Sequence, residues 1–477
     1  MAEKQRNIVV FVTDDHAQWA LGCYGNREIQ SPNLDHLAAT GVRMANSFTP
    51  IPVCSPARAC LLTGLYPSQH GIHDWIWYLG HRPDLPSEFE TVNERQWLVD
   101  ESLADTLGGA GYQTGLVGKW HVGRDTVPQA GFEHWYALHH HYPPRGGDYS
   151  DNGTAVHRAG YHTDIITDEA IRYLNDRDED KPFFLYVGYI GTHTPWQEHP
   201  ERLVARFRDA SFADIPDDPV YRLARMRDEV PDRSQARELR AQYYAGVAHI
   251  DEGVGRIVDE LEALGLRDDT LVVYTADHGI NLGQHGIWGK GNGTRPLNML
   301  EESIRVPLVV NCPGTLLAHQ TRSELVDHCD LHATLLDWAG ISPRRDKPSP
   351  GRSFLPMLTR GAADRGWKTA QPGEYGPLRT IRTERYKLVR RYPDGYHELY
   401  DLALDPREAH NRFDDPAYAP VVDELTRRLD AFYERYEDPE KSGLRARELP
   451  AHNPREAWRG EPEDPDSGTG AAVASPW

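Results

Sequence analysis

The chain has 477 residues, of which 39% are hydrophobic, and carries a net charge of −20. No apolar run approaches the roughly 18 residues that cross a membrane, and the negative charge argues against a general nucleic-acid binder. Five cysteines, scattered and without a C-x-x-C pair, exclude a disulfide framework and a zinc site. The first residues form no apolar leader, so we expect a cytoplasmic protein.

Four segments follow one pattern, an apolar strand-like run that ends at once in polar, ionisable residues. In chain order they are residues 8–12 before Asp14 and Asp15, 115–117 before Lys119 and His121, 183–189 before His193, and 271–274 before Asp277 and His278. Continuous apolar runs are typical of strands that are covered on both faces, as in parallel sheets.

Helix patterns alternate with these strands. Ser31 and Pro32 begin one helix that Gly41 ends, and residues 101–107 and 235–264 form two more. The alternation predicts an α/β fold with a large, mostly parallel sheet flanked by helices. Because ligands bind beyond the carboxyl ends of such strands, the four polar clusters should meet at one edge.

The pattern of predicted strands and helices changes after residue 371. Short strand patterns at 379–382, 386–389 and 397–400 are followed by a helix pattern at 421–436. We therefore predict a large α/β domain over residues 1–371 and a smaller α+β subdomain, an antiparallel sheet plus a helix, over 372–449. The composition of residues 450–477 predicts an extended or flexible tail.

The segment from Val53 to Gly64 carries the most chemical information. Cys54 precedes a predicted helix, whose N-terminus suits an oxyanion. Arg58, four residues on, lies on the same face and offers a planar pair of donors. The alternative is a buried cysteine at a helix start with a surface arginine, and the pattern C-x-P-x-R alone favours that alternative.

With Leu61-Leu62-Thr63-Gly64 behind it and Asp14-Asp15 ahead, this motif resembles that of the type I (formylglycine-dependent) sulfatases, a family of the alkaline phosphatase superfamily. The resemblance runs from Asn7 to about Asn411, with the motifs in the family's order. It implies that a formylglycine-generating enzyme oxidises Cys54 to formylglycine. The hydrate of that aldehyde would then attack the sulfur of a sulfate monoester.

The resemblance also implies one divalent cation, held by Asp14, Asp15, Asp277, His278 and residue 54. Two adjacent carboxylates without a basic neighbour point to a cation independently, since their charges repel one another. The alternative for that pair is a helix cap or a solvated turn. Three carboxylates favour Ca²⁺, whereas the imidazole leaves Mn²⁺ or Mg²⁺ open.

Five further side chains receive catalytic roles from the resemblance. Arg58, with the cation, would lower the pKa of the attacking hydroxyl. Lys119 and Lys290 would hold the sulfate oxygens. His193 would contact and protonate the leaving oxygen, and His121 would deprotonate the second hydroxyl so that sulfate is expelled. Fixed positive charges suit a transition state that spreads negative charge over oxygens.

Aromatic residues suggest the kind of substrate. Trp75 and Trp77 follow the Cys54 helix, and Trp135 lies with residues 139–142 in a second predicted loop. Aromatic faces suit sugar rings, so we predict a carbohydrate sulfate, a small molecule or an oligosaccharide, bound in part by Trp75 and Trp77. The alternative is that these tryptophans pack a large loop.

Two other functions stay open at this point. One is a phosphonate or phosphate ester hydrolase of the same superfamily, against which the crowding of Lys119, Lys290 and Arg58 favours a monoester. The other is a catalytically inactive protein that binds sulfated glycans, which the filled set of catalytic positions disfavours. For an unmodified Cys54 we expect the nearby cations to lower the thiol pKa and yield a thiolate. We expect no nucleic-acid or membrane partner, and the oligomeric state is left open.

Overall fold

A ten-stranded mixed sheet forms the centre of the molecule. The structure, a computed structural model, describes residues 6–78, 91–139, 145–216, 218–221, 225–226, 230–342 and 347–459. In spatial order the sheet runs β14-β2-β13-β9-β1-β7-β3-β4-β5-β6. In chain order its strands are β1 (Asn7–Thr13), β2 (Val42–Phe48), β3 (Gln113–Gly118), β4 (His134–His139), β5 (Arg145–Asp151), β6 (Thr154–Tyr161), β7 (Phe183–Tyr189), β9 (Thr270–Ala276), β13 (Leu308–Asn311) and β14 (Gln320–Asp327).

The five central strands β9, β1, β7, β3 and β4 are parallel to one another. Every residue of β1 and β7 is buried, because helices cover both faces of the sheet. Alternate residues of β1 enter opposite cores: Val9 and Phe11 face one, and Ile8, Val10 and Val12 face the other. The remaining strands extend the sheet at both sides, with antiparallel pairings at β13, β5 and β6.

Helices form the two outer layers. They are α1 (Pro32–Ala39), α2 (Cys54–Thr63), α3 (Pro67–His70), α4 (Leu103–Gly109), α5 (His162–Asp176), α6 (Glu201–Phe207), α7 (Arg233–Ala263), α8 (Glu301–Ile304), α9 (His328–Trp338), α10 (Leu355–Arg360) and α11 (Ala419–Tyr436). Helices α1, α5, α6 and α7 cover one face, whereas α2, α4, α9 and α10 cover the other. Within the described parts of the chain, no helix has both the length and the apolar character that crossing a membrane requires.

A four-stranded antiparallel sheet completes the fold. Its strands are β15 (Ala370–Tyr375), β16 (Leu378–Thr383), β17 (Tyr386–Arg391) and β18 (Glu398–Asp401). One face packs on α11 through Leu425, Leu429 and Tyr433, and the other packs near the start of α2. Two-stranded pairs are formed by β10 (Asn281–Leu282) with β11 (Trp288–Gly289) and by β8 (Arg225–Met226) with β12 (Thr294–Arg295).

This architecture confirms the predicted fold class, a large and mostly parallel sheet between helices with a small antiparallel sheet and helix near the C-terminus. The division into three regions stays a prediction. Strand β15 was missed, and it begins two residues before the predicted boundary at residue 372. Of the predicted tail, residues 450–459 contain four buried side chains, His452, Asn453, Glu456 and Trp458, whereas residues 460–477 lie outside the described part of the chain.

Candidate active site

The carboxyl edge of the central strands holds three predicted site residues in register. The N–H of Asp14 donates to the last carbonyl of β7 at 3.0 Å, that of Lys119 donates to β7 at 2.9 Å, and that of Asp277 donates to the last carbonyl of β1 at 3.1 Å. These bonds continue the ladder past the strand ends, so the side chains meet at strand spacing. Gly118, at φ 101°, allows the approach of Lys119, since a Cβ there would lie 2.2 Å from the Gly188 carbonyl oxygen.

Cys54 is the first residue of α2, and the whole of that helix is buried. Its Sγ lies 3.3 Å from Oδ1 of Asp14 and 3.3 Å from Nε2 of His278, and the Nζ of Lys290 lies 3.1 Å from it. The N-terminus of α2 therefore lies at the edge where the parallel strands end, and it positions residue 54 there. Asp14, His278 and Lys290, all distant from residue 54 in the sequence, thus meet at this atom.

Arg58 ties α2 to two of the strands. Its guanidinium is fully buried, and Nε donates to Oδ2 of Asp277 at 2.9 Å. Nη1 donates to the carbonyl of Lys119 at 3.0 Å and to the hydroxyl of Tyr186 at 3.2 Å. The alternative of a surface arginine is thus wrong, because one planar group is anchored to β9, β3 and β7 at once.

His278 presents one defined nitrogen to the cluster. Nδ1 lies 2.9 Å from the carbonyl of Gly279, which assigns the N–H to Nδ1 and the lone pair to Nε2. Nε2 lies 3.3 Å from Oδ1 of Asp15 and 3.5 Å from Oδ1 of Asp277. Burial, together with the positive charge of Lys290, lowers the pKa of His278 to about 3, so the ring is neutral and Nε2 can act as a ligand.

Three carboxylates face three cationic side chains at this edge. Lys119 pairs with Asp14, and Nζ of Lys290 lies 2.6 Å from Oδ1 of Asp15. Burial alone would raise the pKa of Asp14, but the neighbouring cationic groups, Lys119 foremost, together hold that pKa well below its ordinary value. Burial, with the charge of Asp14, raises the pKa of Asp277 to about 7. Each of these two carboxylates has a direct cationic partner, Lys119 for Asp14 and Arg58 for Asp277, and the negative charge of Asp14 keeps the pKa of Asp277 high.

The two other predicted histidines flank the cluster. Nε2 of His193 lies 3.9 Å from Oδ2 of Asp14 and 4.0 Å from Oδ2 of Asp15, and the side chain is 10% exposed. His121 has its Nε2 3.1 Å from the carbonyl of Ile76. Burial lowers the pKa of both imidazoles, that of His193 to about 3, so both are neutral.

The predicted aromatic residues lie mainly in the core. Trp77 is 3% exposed and packs against the half-buried Trp75, with ring centres 5.6 Å apart. This burial favours the packing alternative for Trp77, and sugar binding by the pair stays a prediction. Trp135 is not in a loop but in β4, where it is fully buried. Of its predicted companions, residues 140–142 lie outside the described residues.

Sequence reasoning missed three side chains that support the site. The hydroxyl of Tyr186 accepts from Arg58, that of Thr192 donates to the carbonyl of Asp14, and that of Tyr243 donates to the carbonyl of Asp15 at 2.9 Å. Tyrosines within buried strands and helices usually find a hydrogen-bond partner. That expectation is the available signal for Tyr186, but it does not name the partner.

The donor set at this edge fits a divalent cation. Ligand atoms within 4.8 Å of one another occur in two overlapping groups, Asp14, Cys54, Asp277 and His278, and Asp14, Asp15, Cys54 and His193. The predicted ligands are thus brought together, although Asp15 and Asp277 fall in different groups and His193 joins one of them. Buried carboxylate oxygens and a neutral imidazole are the chemistry of a hard or borderline cation.

The expectation for the unmodified thiol is wrong for these side chains. Burial, reinforced by the charge of Asp14, raises the pKa of Cys54 to about 12, although Lys119 and Lys290 act in the opposite direction. Within this set of side chains the cysteine stays protonated at neutral pH and is a poor nucleophile.

Comparisons with known proteins agree with this geometry. The sulfatase family model matches residues 6–341, and a model described as N-sulphoglucosamine sulphohydrolase, C-terminal, matches residues 283–435. The N-acetylglucosamine-6-O-sulfatase of Bacteroides thetaiotaomicron is 31% identical over 91% of this chain and 87% of its own length. The human N-sulphoglucosamine sulphohydrolase is 27% identical over 91% of each chain.

A solved structure of a protein in complex with its substrate D-glucosamine-2-N,6-O-disulfate has the same fold. Its TM-score is 0.76 at 29% identity, over 92% of this chain and 99% of that one. The family match covers well over half of the chain and includes every strand of the central edge. The chain therefore belongs to the sulfatase family of the alkaline phosphatase superfamily and is a sulfuric ester hydrolase.

Proposed function

We propose that this protein hydrolyses a carbohydrate sulfate monoester, using a formylglycine made from Cys54 and a bound divalent cation, with Ca²⁺ as the first choice. The observation that carries the proposal is the position of residue 54. It begins a buried helix at hydrogen-bonding distance from Asp14, His278 and Lys290. A side chain converted there lies among carboxylate, imidazole and ammonium groups.

Asp14, Asp15, Asp277 and His278, with residue 54, would hold the cation, which supplies Lewis-acid stabilisation of sulfate oxygens when bound. Formylglycine supplies a hydrated aldehyde as the nucleophile in place of a thiol. Its formation requires a formylglycine-generating enzyme as a partner. The high pKa of the unmodified thiol supports the need for this conversion, because a protonated, buried cysteine has little reactivity of its own.

The side chains of this protein would then bind and orient the sulfate ester, and the histidines would move protons. Lys290 pairs with Asp15 and Lys119 pairs with Asp14, and each lysine would hold a sulfate oxygen. Arg58 keeps Asp277 in place. His193 stands at the rim of the cluster, where an imidazole can give a proton to the leaving oxygen. His121 would deprotonate the second hydroxyl of the formylglycine hydrate so that sulfate is expelled.

The choice of a sugar ester rests on the relatives. A relative that is similar to this chain over most of its length is named as an N-acetylglucosamine-6-O-sulfatase, and the solved structure described above contains a sulfated glucosamine as substrate. A choline-sulfatase of Rhizobium meliloti is 30% identical over 81% of this chain, so a small non-sugar ester belongs in any test. We therefore propose sulfated glucosamine derivatives as the first class of substrate.

A substrate panel combined with peptide mass spectrometry tests the proposal. The panel comprises N-acetylglucosamine 6-sulfate, N-sulfoglucosamine, choline sulfate, 4-nitrophenyl sulfate and the matching phosphate and phosphonate esters. The highest kcat/KM should fall on a sugar sulfate, and the peptide containing residue 54 should carry formylglycine. Cys54→Ala should abolish turnover, whereas Cys23→Ser, at a half-buried cysteine outside the site, should not. A phosphonate or phosphate ester as the best substrate would refute the sulfate assignment. Fully active protein with an unmodified Cys54 would refute the formylglycine mechanism.

A further inference from the structure

A small cavity opens beside the cluster, and His193 belongs to the walls of both. Half-buried residues form its mouth, among them Tyr161, Gly191 and His193, and the buried side chains of Thr163 and His199 form its floor. The cavity measures about 20 Å³, room for one water-sized group. Because His193 faces the leaving oxygen in the proposed function, the cavity lies where the alcohol part of an ester must extend.

The floor offers two hydrogen-bonding groups that the fold leaves unused. Nε2 of His199 is buried and has no hydrogen-bond partner among the described residues. The Thr163 hydroxyl makes no hydrogen bond to any residue in the described part of the chain, and it points at Gly191, where a Cβ would lie 3.0 Å from Oγ1. Because a buried polar group without a partner is unfavourable, Nε2 of His199 favours a ligand atom in the cavity, and the Thr163 hydroxyl beside it can bond to the same atom.

His199 gives the floor of the cavity a neutral hydrogen-bonding group. Burial, with the neighbouring His249, lowers the pKa of His199 to about 3, so the ring carries no charge. His249 also lines the cavity, and its Nε2 lies 3.0 Å from Oδ1 of Asp164. An anionic substituent at the floor would meet a neutral His199 ring with the carboxylate of Asp164 behind it, so the floor favours a neutral group.

We infer that this cavity is the specificity subsite for a neutral hydroxyl group next to the sulfate ester on the leaving sugar. Thr163 and His199 hydrogen-bond that hydroxyl, and the half-buried ring of Tyr161 at the mouth faces the C–H groups of the sugar. The room at the floor, about 20 Å³, suits a group as small as a hydroxyl. The inference rests on the proposed function and narrows it to esters with a free neighbouring hydroxyl.

The experiment measures whether a side chain of the cavity and one hydroxyl of the substrate interact, by removing each of them separately and together. The probes are the sugar sulfate with the highest kcat/KM in the panel, its singly deoxygenated analogues, and 4-nitrophenyl sulfate. Thr163→Val removes the hydroxyl at constant volume, and His199→Phe keeps a ring but removes the nitrogens. Thr359→Val makes the same change in α10, where Oγ1 bonds only to its own helix, and serves as the matched control.

Wild-type enzyme should lose about ten-fold in kcat/KM for one deoxygenated analogue, the effect of one hydrogen bond to a hydroxyl. Thr163→Val should lose about ten-fold on the parent sugar sulfate and nothing further on that analogue. His199→Phe should show the same losses in kcat/KM as Thr163→Val, and Thr359→Val should have the kcat/KM values of the wild type. Equal deoxygenation losses in all variants, with unchanged melting temperatures, would overturn the inference alone. Absence of turnover of every sulfate ester by wild type would overturn the proposed function itself.

Discussion

The buried ion pair between Arg58 and Asp277 predicts a large loss of stability when one partner is removed. Both side chains are 0% exposed, and Nε lies 2.9 Å from Oδ2. Arg58→Met keeps the length of the side chain but leaves the carboxylate buried without its cation, which costs about 3–5 kcal/mol. At about 2.1 cal/mol/K per residue, the unfolding entropy of the chain is about 1 kcal/mol/K. The melting temperature should therefore fall by about 3–5 °C.

A double-mutant cycle measured by scanning calorimetry in EDTA isolates the pair. Asp277→Asn removes the negative charge that Arg58→Met leaves without a partner. The double variant should therefore lose less unfolding free energy than the two single variants lose in sum, by at least about 1 kcal/mol. Arg427→Met, at an exposed pair with Glu424, is the matched control and should change stability by at most about 1 kcal/mol. Additive losses in the cycle would refute the claim that burial of the uncompensated charge is the cause.

Three further predictions concern the metal, the backbone and pH. Dialysis against a chelator should abolish turnover. When Ca²⁺, Mn²⁺ and Mg²⁺ are then added one at a time, the native ion should restore it. Full activity in protein that elemental analysis shows to be free of metal would contradict the metal site. Gly118→Ala should lower kcat at least ten-fold and reduce the melting temperature, because a Cβ would lie 2.2 Å from the Gly188 carbonyl next to Lys119; a fully active, equally stable variant would contradict this. Burial raises the pKa of Glu374, which is hydrogen-bonded by Ser68, from 4.5 to about 7. Its carboxyl keeps a proton in the folded state between these two pH values, so the unfolding free energy should fall by about 3 kcal/mol as pH rises from 4.5 to 7. Glu374→Gln should remove that part of the slope in urea titrations, and an unchanged slope would show that the group titrates normally.

Much of the fold and of the site could be predicted from local patterns. A strand that is buried on both faces must be apolar throughout, so residues 8–12 and 271–274 were recognisable, and the polar residues after them had to lie at a strand end. The helix predicted at 235–264 is present as α7, and the helix at 421–436 as α11. The mixed pairings of β2, β13 and β14 were not predictable, because their partners are distant in sequence.

What the sequence determined by itself was the set of ionisable groups and the edge at which they collect. Asp14, Lys119 and Asp277 each follow a strand, and parallel strands end together whatever their order. Only the tertiary structure decided which partner each group meets. Arg58 bonds to Asp277, and burial together with Asp14 raises the thiol pKa of Cys54 although the two lysines act in the opposite direction. The physical reason is that desolvation and charge act over a few ångströms, and those distances are set by packing between segments that are far apart along the chain.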